Sequence, residues 1–223
     1  MQLVAGIDEA GRGPMIGPMV MVLAGIDEKK YSVLADLGVK DSKLLSPTGR
    51  EKLRKKLLEV LDIVVIRIIS PEEIDSAVWG KRYTNLNQLE LVVMVELIKE
   101  ALKKKKLEKV FVDSPDPKPE RFQEKIRDLL SSYRVEVVAD NDADKKYPIV
   151  SAASIIAKTE RDRIIERLKL EYGDFGSGYP SDPRTRQFAK EWLRRQGEPP
   201  PIARKSWKSW KKLLSEIKQR QLF

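Results

Sequence analysis

The chain has 223 residues and a formal net charge of +9, and its 41% hydrophobic and 35% charged residues are typical of one large globular domain or a domain with an appendage. It contains neither cysteine nor histidine, which excludes disulfides, thiol nucleophiles, imidazole acid–base catalysis and zinc sites built on either side chain. No apolar run approaches the roughly 18 residues of a membrane span and no secretory signal is visible, so we expect a cytoplasmic protein with no membrane segment.

The first half of the chain predicts an alternation of strands and helices. Residues 3–7 and 18–24 are apolar enough for short strands, and the segment between them is rich in glycine and proline. Leucines at helical spacing predict a helix at 46–61, with Ser46 as its N-cap and Pro47 at its first position. A β-branched strand at 62–69 follows, and Ser70 with Glu73 fits a capping box that opens another helix.

The second half continues the alternation. An amphipathic helix is predicted at 86–105, a strand at 109–113, a helix near 120–131 and a strand at 134–139. The helix predicted at 148–172 begins with small residues that would let it lie close against a sheet. Two more helical segments follow, separated by the sequence GEPPP.

These elements predict an α/β fold with a mixed central sheet flanked by helices, and a helical, basic C-terminal extension. We place the α/β domain at residues 1–182 and the extension at 183–223. Residues 186–223 contain eleven lysines and arginines against three glutamates, interleaved with Trp192, Trp207 and Trp210. This pattern favours contact with a polyanion such as nucleic acid. The alternative is a solvated helix face whose tryptophans pack inward.

Acidic residues recur where predicted strands end. Asp8 and Glu9 follow the first strand, Asp113 ends the fourth, and the sequence DNDAD follows the fifth. Ligand groups of α/β sheets cluster beyond strand ends, although single acids there are often ordinary turn residues. Converging carboxylates repel one another, and without histidine or cysteine the natural counter-charge is Mg²⁺, Mn²⁺ or Ca²⁺. Two such ions would activate water and stabilise the leaving oxygen of a phosphodiester.

Five segments together resemble the type 2 ribonucleases H, the ribonuclease HII family, and most closely its archaeal form. They are GIDEAGRGPMIGP, VKDSK, FVDSP, ADKKYPIVSAASIIAKTERDR and GSGYPSDPRTR. The resemblance runs from the first strand to about Trp210. It implies an RNase H-like fold and metal-dependent cleavage of RNA in RNA–DNA hybrids, or at ribonucleotides embedded in duplex DNA, leaving 3′-hydroxyl and 5′-phosphate ends.

The resemblance also implies the catalytic, metal-binding carboxylates, which are Asp8, Glu9, Asp113 and Asp144, and the cofactor, which is Mg²⁺ or Mn²⁺. Asp140 and Asp142 are then additional acids of the same loop. A protein that distinguishes RNA from DNA must reach the 2′-hydroxyl, and glycine lets bare backbone approach the sugar. The resemblance assigns this recognition to Gly11, Arg12, Gly13 and Tyr179. Otherwise the glycines would form a tight turn and Tyr179 would be a surface or core aromatic.

Further polar and basic residues are predicted to hold the nucleic-acid backbone. They lie on a short loop, at a helix start, on the helix after Asp144 and near the C-terminus. These residues are Lys40, Ser42, Lys43, Thr84, Asn85, Lys158, Arg161, Arg204 and Lys205. Such contacts add affinity without sequence preference, so binding should weaken steeply with salt.

Two other functions stay open at this point: a different RNase H-like nuclease such as a DNA junction resolvase, and a basic binding module without catalysis. The C-terminal KQRQLF resembles the short tails by which replication proteins dock on a sliding clamp, but it lacks the expected aliphatic residue and has one aromatic. We therefore expect a monomeric enzyme whose partners are RNA–DNA hybrids and ribonucleotide-containing duplex DNA, with a sliding clamp as a further candidate.

Overall fold

A computed structural model describes residues 2–39 and 45–220 of the chain. The strands are β1 (Leu3–Ala10), β2 (Met19–Asp27), β3 (Ile63–Ile69), β4 (Leu107–Asp113) and β5 (Glu136–Asp140). The helices are α1 (Ser32–Asp36), α2 (Pro47–Val60), α3 (Pro71–Val78), α4 (Leu86–Lys104), α5 (Pro119–Leu129), α6 (Ala143–Lys146), α7 (Pro148–Tyr172), α8 (Pro183–Gln196) and α9 (Lys208–Arg220), with a 3₁₀ turn at Glu28–Lys30. No helix in this part of the chain is both long and apolar enough to cross a membrane.

The five strands form one sheet in the order β3-β2-β1-β4-β5. β1 and β2 pair antiparallel, whereas β4 runs parallel to both β1 and β5. The crossovers between the parallel strands contain helices, as parallel connections require. The predicted mixed sheet flanked by helices, with helices in the C-terminal region, is therefore confirmed.

The elements missing from the sequence prediction are short. The 3₁₀ turn, the five-residue α1 and the four-residue α6 are too brief for a periodic apolar pattern, so periodicity cannot reveal them. By contrast, the predicted caps of two longer helices are confirmed. Ser46 accepts a hydrogen bond from the Gly49 amide at the start of α2, and Ser70 accepts one from the Glu73 amide at the start of α3.

Contacts divide the chain into two compact units. The first comprises Met1–Ala10, Val20–Ile68 and Asn87–Glu160. Within it, β1 and the start of α7 approach closely at Gly6. A Cβ atom on Gly6 would lie 2.6 Å from the backbone carbon of Ile149 and the backbone nitrogen of Val150, so only glycine fits there. The helix that the sequence predicts to lie close against the sheet thus begins beside a glycine on β1.

The second unit comprises Gly11–Met19, Ile69–Leu86 and Arg161–Phe223. It differs from the predicted extension, which began at residue 183 and did not include the two earlier segments. Its apolar cluster joins Met15 and Ile16 to Phe175 and Trp210. Trp210 is fully buried, and Trp192 packs its ring against Tyr172 and Phe188. These tryptophans therefore pack within the unit, whereas contact of the neighbouring basic residues with a polyanion stays a prediction.

Candidate active site

Three acidic side chains meet where β1 and β4 end. The two strands are parallel neighbours, so Asp8 and Glu9 of β1 finish at the same edge of the sheet as Asp113 of β4. Each of the three supplies a carboxylate oxygen, and these oxygens lie within 4.8 Å of one another. The fold thus brings together three of the four carboxylates that the sequence assigns to the metal site.

Asp8 is the buried member of this trio, with 6% of its surface exposed. Burial is the main reason that its pKa rises from 3.8 to about 7, and the charges of Asp113 and Asp144 raise the pKa further. Hydrogen bonds from the Ser154 side chain and from the Glu9 amide act in the opposite direction and favour the ionised form. The site therefore stores like-charge repulsion that a cation would relieve.

Asp113 is held by the loop that follows β5. Its Oδ1 atom accepts a hydrogen bond of 2.6 Å from the Ala143 amide, which opens α6. This contact places the first turn of α6 beside the carboxylate trio. It is also the turn that contains Asp144, whose charge acts on Asp8.

The three aspartates of DNDAD, which are Asp140, Asp142 and Asp144, have different partners. Asp140 pairs with the Lys146 ammonium and accepts from the Tyr147 hydroxyl at 3.4 Å. The exposed Asp142, which has a left-handed backbone, pairs with the Lys145 ammonium at 2.8 Å. Asp144 is not one of the trio within 4.8 Å, but its charge is close enough to raise the pKa of Asp8. Of the three aspartates, Asp144 is the one whose charge acts on Asp8, which supports it as the fourth carboxylate of the site. The role of Asp144 stays a prediction.

The chemistry of the donors fits a hard divalent cation. The trio offers only carboxylate oxygens, which Mg²⁺, Mn²⁺ and Ca²⁺ prefer as ligands. Asp8 is buried among other carboxylates and has a raised pKa, so a positive charge would stabilise its ionised form. Asp8, Glu9 and Asp113 are therefore the residues that could hold a metal ion, with Asp144 beside them.

Beyond Ala10, the last residue of β1, the chain enters the segment that we call the glycine loop, residues 11–17. Gly11 has a φ of +82°, and a Cβ atom there would collide with the side chain of Arg161. Gly13 has neither constraint: its nearest neighbour would be Cε1 of the Tyr179 ring at 3.4 Å, an ordinary contact. Gly11 is thus required by the fold itself, whereas the fold alone would accept alanine in place of Gly13.

Tyr179 lies at the surface of the same unit with 40% of its area exposed. Its ring faces Gly13 on one side, and the guanidinium carbon of Arg161 lies 5.8 Å from the ring centroid. An exposed aromatic ring beside bare backbone is suited to stack on a sugar or a base. The structure thus brings the predicted recognition residues Gly13 and Tyr179 together, while the role of each stays a prediction.

Two predicted backbone contacts are incompatible with the structure. Arg204 is fully buried, and its guanidinium donates to the carbonyl oxygens of Gly11, Arg12 and Gly17. Arg161 is 6% exposed and packs beneath Gly11. Neither guanidinium is available to a phosphate on the protein surface, because both are enclosed within the second unit. The sequence could not reveal this, since a basic residue in a basic segment resembles a phosphate ligand.

The other predicted backbone contacts divide into two groups. Thr84, Asn85, Lys158 and Lys205 are exposed, as contact with a polyanion requires. Thr84 and Asn85 immediately precede α4, the helix start that the sequence predicts. Lys40, Ser42 and Lys43 lie outside the described residues.

Two residues with clear structural roles escaped the sequence analysis. Ser154 on α7 bonds Asp8, and its only signal was its place among the small residues of SAAS. Asp75 on α3 is 4% exposed and accepts hydrogen bonds from the amides of Lys205 and Ser206, at 2.8 and 2.9 Å, and from the Ser206 hydroxyl. Asp75 thereby fixes the turn that follows Arg204. Nothing in its own segment indicates a partner 130 residues away.

Comparison with known proteins adds family information to this geometry. The family model described as Ribonuclease HII matches residues 5–210. A Ribonuclease HII from Thermofilum pendens is similar over 213 residues, at 56% identity, covering 96% of this chain and 100% of that protein.

Solved structures give the same result. The ribonuclease H2 from Pyrococcus horikoshii OT3 is similar with a TM-score of 0.88 and 47% identity, covering 97% of this chain and 99% of that one. A chain of the PCNA:RNase HII complex from Archaeoglobus fulgidus is similar with a TM-score of 0.83 and 42% identity, covering 94% and 96% of the two chains. Sequence, fold and the carboxylate trio therefore point to one family.

Proposed function

The chain belongs to the ribonuclease HII family, and we propose that Asp8, Glu9, Asp113 and Asp144 perform the hydrolysis that this family catalyses. As a member, the enzyme is a metal-dependent endoribonuclease that cleaves RNA in RNA–DNA hybrids. Family membership does not favour a junction resolvase or a non-catalytic module. The observation that carries the residue assignment is the approach of three carboxylate oxygens within 4.8 Å of one another.

Mg²⁺ or Mn²⁺ is the proposed cofactor, held by the trio with Asp144 beside it. When bound, such an ion supplies Lewis-acid activation of water and charge stabilisation at the phosphodiester. The chain's own residues orient the ligands: the Ser154 hydroxyl bonds Asp8, and the Ala143 amide holds Asp113. These hydrogen bonds fix carboxylates that would otherwise repel one another and rotate apart.

The finer substrate proposal concerns the glycine loop. We propose that Gly11, Arg12 and Gly13 read the 2′-hydroxyl and that Tyr179 packs against the sugar, so that single ribonucleotides in duplex DNA are also cleaved, giving 3′-hydroxyl and 5′-phosphate ends. The bare backbone at Gly13, in contact distance of an exposed tyrosine ring, supports this role. Cleavage mapped on a duplex with one ribonucleotide tests it, and products cut at random positions would contradict it.

Affinity for the duplex is proposed to come from exposed basic residues. Lys158 and Lys205 are exposed, and a groove of about 800 Å³ lies between α8 and α9 in the second unit. Its charged lining residues are Arg186, Lys190, Arg194 and Lys212, with Glu191 and Glu216. The excess of positive charge supports contact with the nucleic-acid backbone by this C-terminal region. Raising the salt concentration should then weaken hybrid binding steeply, and a flat salt dependence would contradict this proposal.

A sliding clamp is proposed as a protein partner. The support is the similar chain in the PCNA:RNase HII complex, together with the C-terminal QLF sequence. Residues 221–223 lie outside the described part of the chain. Deleting residues 219–223 should abolish capture by a clamp, and unchanged capture would contradict the proposal. We also propose a cytoplasmic location, which is typical of the family.

A further inference from the structure

The carbonyl groups of the glycine loop are bound by one short segment near the C-terminus, residues 202–210. The Arg204 guanidinium donates from Nε to the Gly17 oxygen at 2.9 Å, from Nη1 to the Arg12 oxygen at 2.8 Å and from Nη2 to the Gly11 oxygen. The Trp207 indole donates to the Gly13 oxygen at 2.9 Å. Three successive carbonyls, at residues 11, 12 and 13, are therefore held by two side chains.

This binding also fixes the direction of the loop's N–H groups. The peptide unit is planar and trans, so a carbonyl and the N–H of the next residue point in opposite directions. With the carbonyls of Gly11 and Arg12 turned toward Arg204, the N–H groups of Arg12 and Gly13 are aimed the other way. The third peptide adds no donor, because Pro14 has no N–H. Arg204 thus determines where the backbone donors of the GRG sequence point.

Burying the charged side chain of Arg204 at this position is energetically unfavourable. It is fully buried, and within the described residues no carboxylate lies at ion-pair distance from it or from its neighbour Arg161. Burial and the charge of Arg161 lower the pKa of Arg204 to about 9. The charge of Asp75 favours the cationic form, but a buried cation without an ion-pair partner is still unfavourable, and a hydrophobic side chain of similar volume would cost less free energy. All three hydrogen bonds that this cation makes go to the glycine loop.

We propose that Arg204 and Trp207 are positioning residues for ribonucleotide recognition: they hold the peptides of Gly11, Arg12 and Gly13 so that the loop can distinguish ribose from deoxyribose. The inference rests on the proposed role of the glycine loop in reading the 2′-hydroxyl. It adds two residues that do not touch the sugar and assigns Arg204 a role other than phosphate contact. Trp207 packs its ring under the Arg204 guanidinium, with the centroid 5.0 Å from the guanidinium carbon, so the two act together.

The test uses the full-length protein and three conservative variants. Trp207→Phe keeps an aromatic ring and removes one donor. Arg204→Lys keeps a positive charge but replaces the planar fork with a single ammonium. Gly13→Ala adds a methyl group to the recognition surface, where it would make only an ordinary contact with the Tyr179 ring. The matched controls are Trp79→Phe and Arg121→Lys, because both residues are exposed and neither belongs to the glycine loop or to the basic C-terminal region.

Discrimination is measured by competition during steady-state cleavage of a duplex with one ribonucleotide. The competitor is the same duplex made entirely of DNA, and the readout is the ratio of its inhibition constant to the KM of the ribonucleotide duplex. A variant that only folds less well loses active enzyme, which leaves this ratio unchanged. Loss of positioning should lower the ratio about threefold in Trp207→Phe and about tenfold in Arg204→Lys, the range expected for one or more hydrogen bonds.

The outcomes separate the two proposals. A reduced ratio in Arg204→Lys and Trp207→Phe, with wild-type ratios in both controls, supports positioning. A wild-type ratio in those two variants together with a reduced ratio in Gly13→Ala refutes positioning and leaves the role of the glycine loop intact. Wild-type ratios in all three variants refute both the loop assignment and the positioning role.

Discussion

The carboxylate trio and the region beneath the glycine loop each bring like charges together, but the two regions handle that charge in opposite ways. In the trio, Asp8, Glu9 and Asp113 repel one another on neighbouring strands. In the loop region, Arg161 and Arg204 are buried near each other, and Arg204 is satisfied by neutral carbonyls. The trio needs an ion from outside, whereas Arg204 is satisfied by the chain itself. Changes to the trio should therefore affect chemistry, whereas changes beneath the loop should affect the stability of the fold and the arrangement of the loop.

The largest expected effect tests the first half of this comparison. Asp113→Asn should reduce cleavage of an RNA–DNA hybrid by about 10³-fold or more, because a ligand of the metal ion is lost at a cost of several kcal/mol. The metal-free variant should melt no lower than the wild type, since one repelling charge is removed and the amide oxygen can still accept from Ala143. Gel assays of a labelled hybrid and thermal melting check both statements.

The matched control for this change is Asp128→Asn, which alters an exposed carboxylate on α5. It should leave both cleavage and melting unchanged. Cleavage by Asp113→Asn at a rate near that of the wild type would remove Asp113 from the metal site. A large loss of melting temperature would instead show that Asp113 is needed by the fold.

The second prediction concerns the fold beneath the glycine loop. Gly11→Ala should lower the free energy of unfolding by about 3 kcal/mol, because alanine at a φ of +82° is strained and its Cβ would displace the buried side chain of Arg161. Gly80→Ala is the matched control: its φ is +68° and nothing lies within 4 Å of the added Cβ, so it should cost about 1 kcal/mol. Urea unfolding measures both, and equal losses would mean that packing on Arg161 contributes nothing.

The sequence predicted the carboxylate region better than the loop region, for a physical reason. Strands and acids are local features: the apolar run of β1 and the acids that follow it are visible in ten residues. Even so, the strand continues to Ala10, because Asp8 and Glu9 pair with Val22 and Met21 across the sheet. The burial of Asp8 was not predictable, since it depends on the packing of α7, which bears Ser154, against β1.

The loop region depends on partners that are remote in the chain. Arg204 bonds the carbonyl of Gly11 across 193 residues, and Asp75 holds the next turn across about 130. Side chains that bond carbonyls need no complementary residue type, so no pair of letters in the sequence indicates the contact. The prediction of Arg204 as a phosphate ligand followed from its basic segment and was wrong, because the side chain is buried.

The third prediction concerns the pH dependence of metal binding by the trio. The pKa of Asp8 in the folded protein is about 7, which is above its ordinary value of 3.8. In the metal-free protein, protonated Asp8 therefore contributes to the free energy of unfolding fully below pH 4, and this contribution is lost as the pH rises through 7. A cation favours the ionised form. Apparent affinity for Mg²⁺ or Mn²⁺ should thus rise by up to about 50-fold from pH 5 to pH 7 and then level off.

Calorimetric titration of the metal at several pH values checks this dependence. Asp128→Asn should keep the slope, whereas Asp8→Asn should flatten it, because the titrating group is gone. Equal metal affinities at pH 5 and pH 7 in the wild-type protein would contradict the assignment of Asp8 as a buried metal ligand that must lose a proton when the ion binds.

The smallest expected effect compares a helix cap in each unit. Asp182 caps α8 by accepting from the Arg184 amide and also accepts from the Ser177 amide of the preceding loop, whereas Ser46 caps α2 by accepting from Gly49 alone. Asp182→Ala should therefore cost about 1–2 kcal/mol of unfolding free energy and Ser46→Ala about 0.5–1 kcal/mol.

The bonds from Ser177 lower the pKa of Asp182 to about 2, so its contribution is present above pH 4 and is lost as pH falls toward 2. Unfolding in urea at pH 7 and at pH 3 measures this difference. A larger loss for Ser46→Ala at pH 7, or a loss for Asp182→Ala that is unchanged at pH 3, would show that the charge of Asp182 does not support α8.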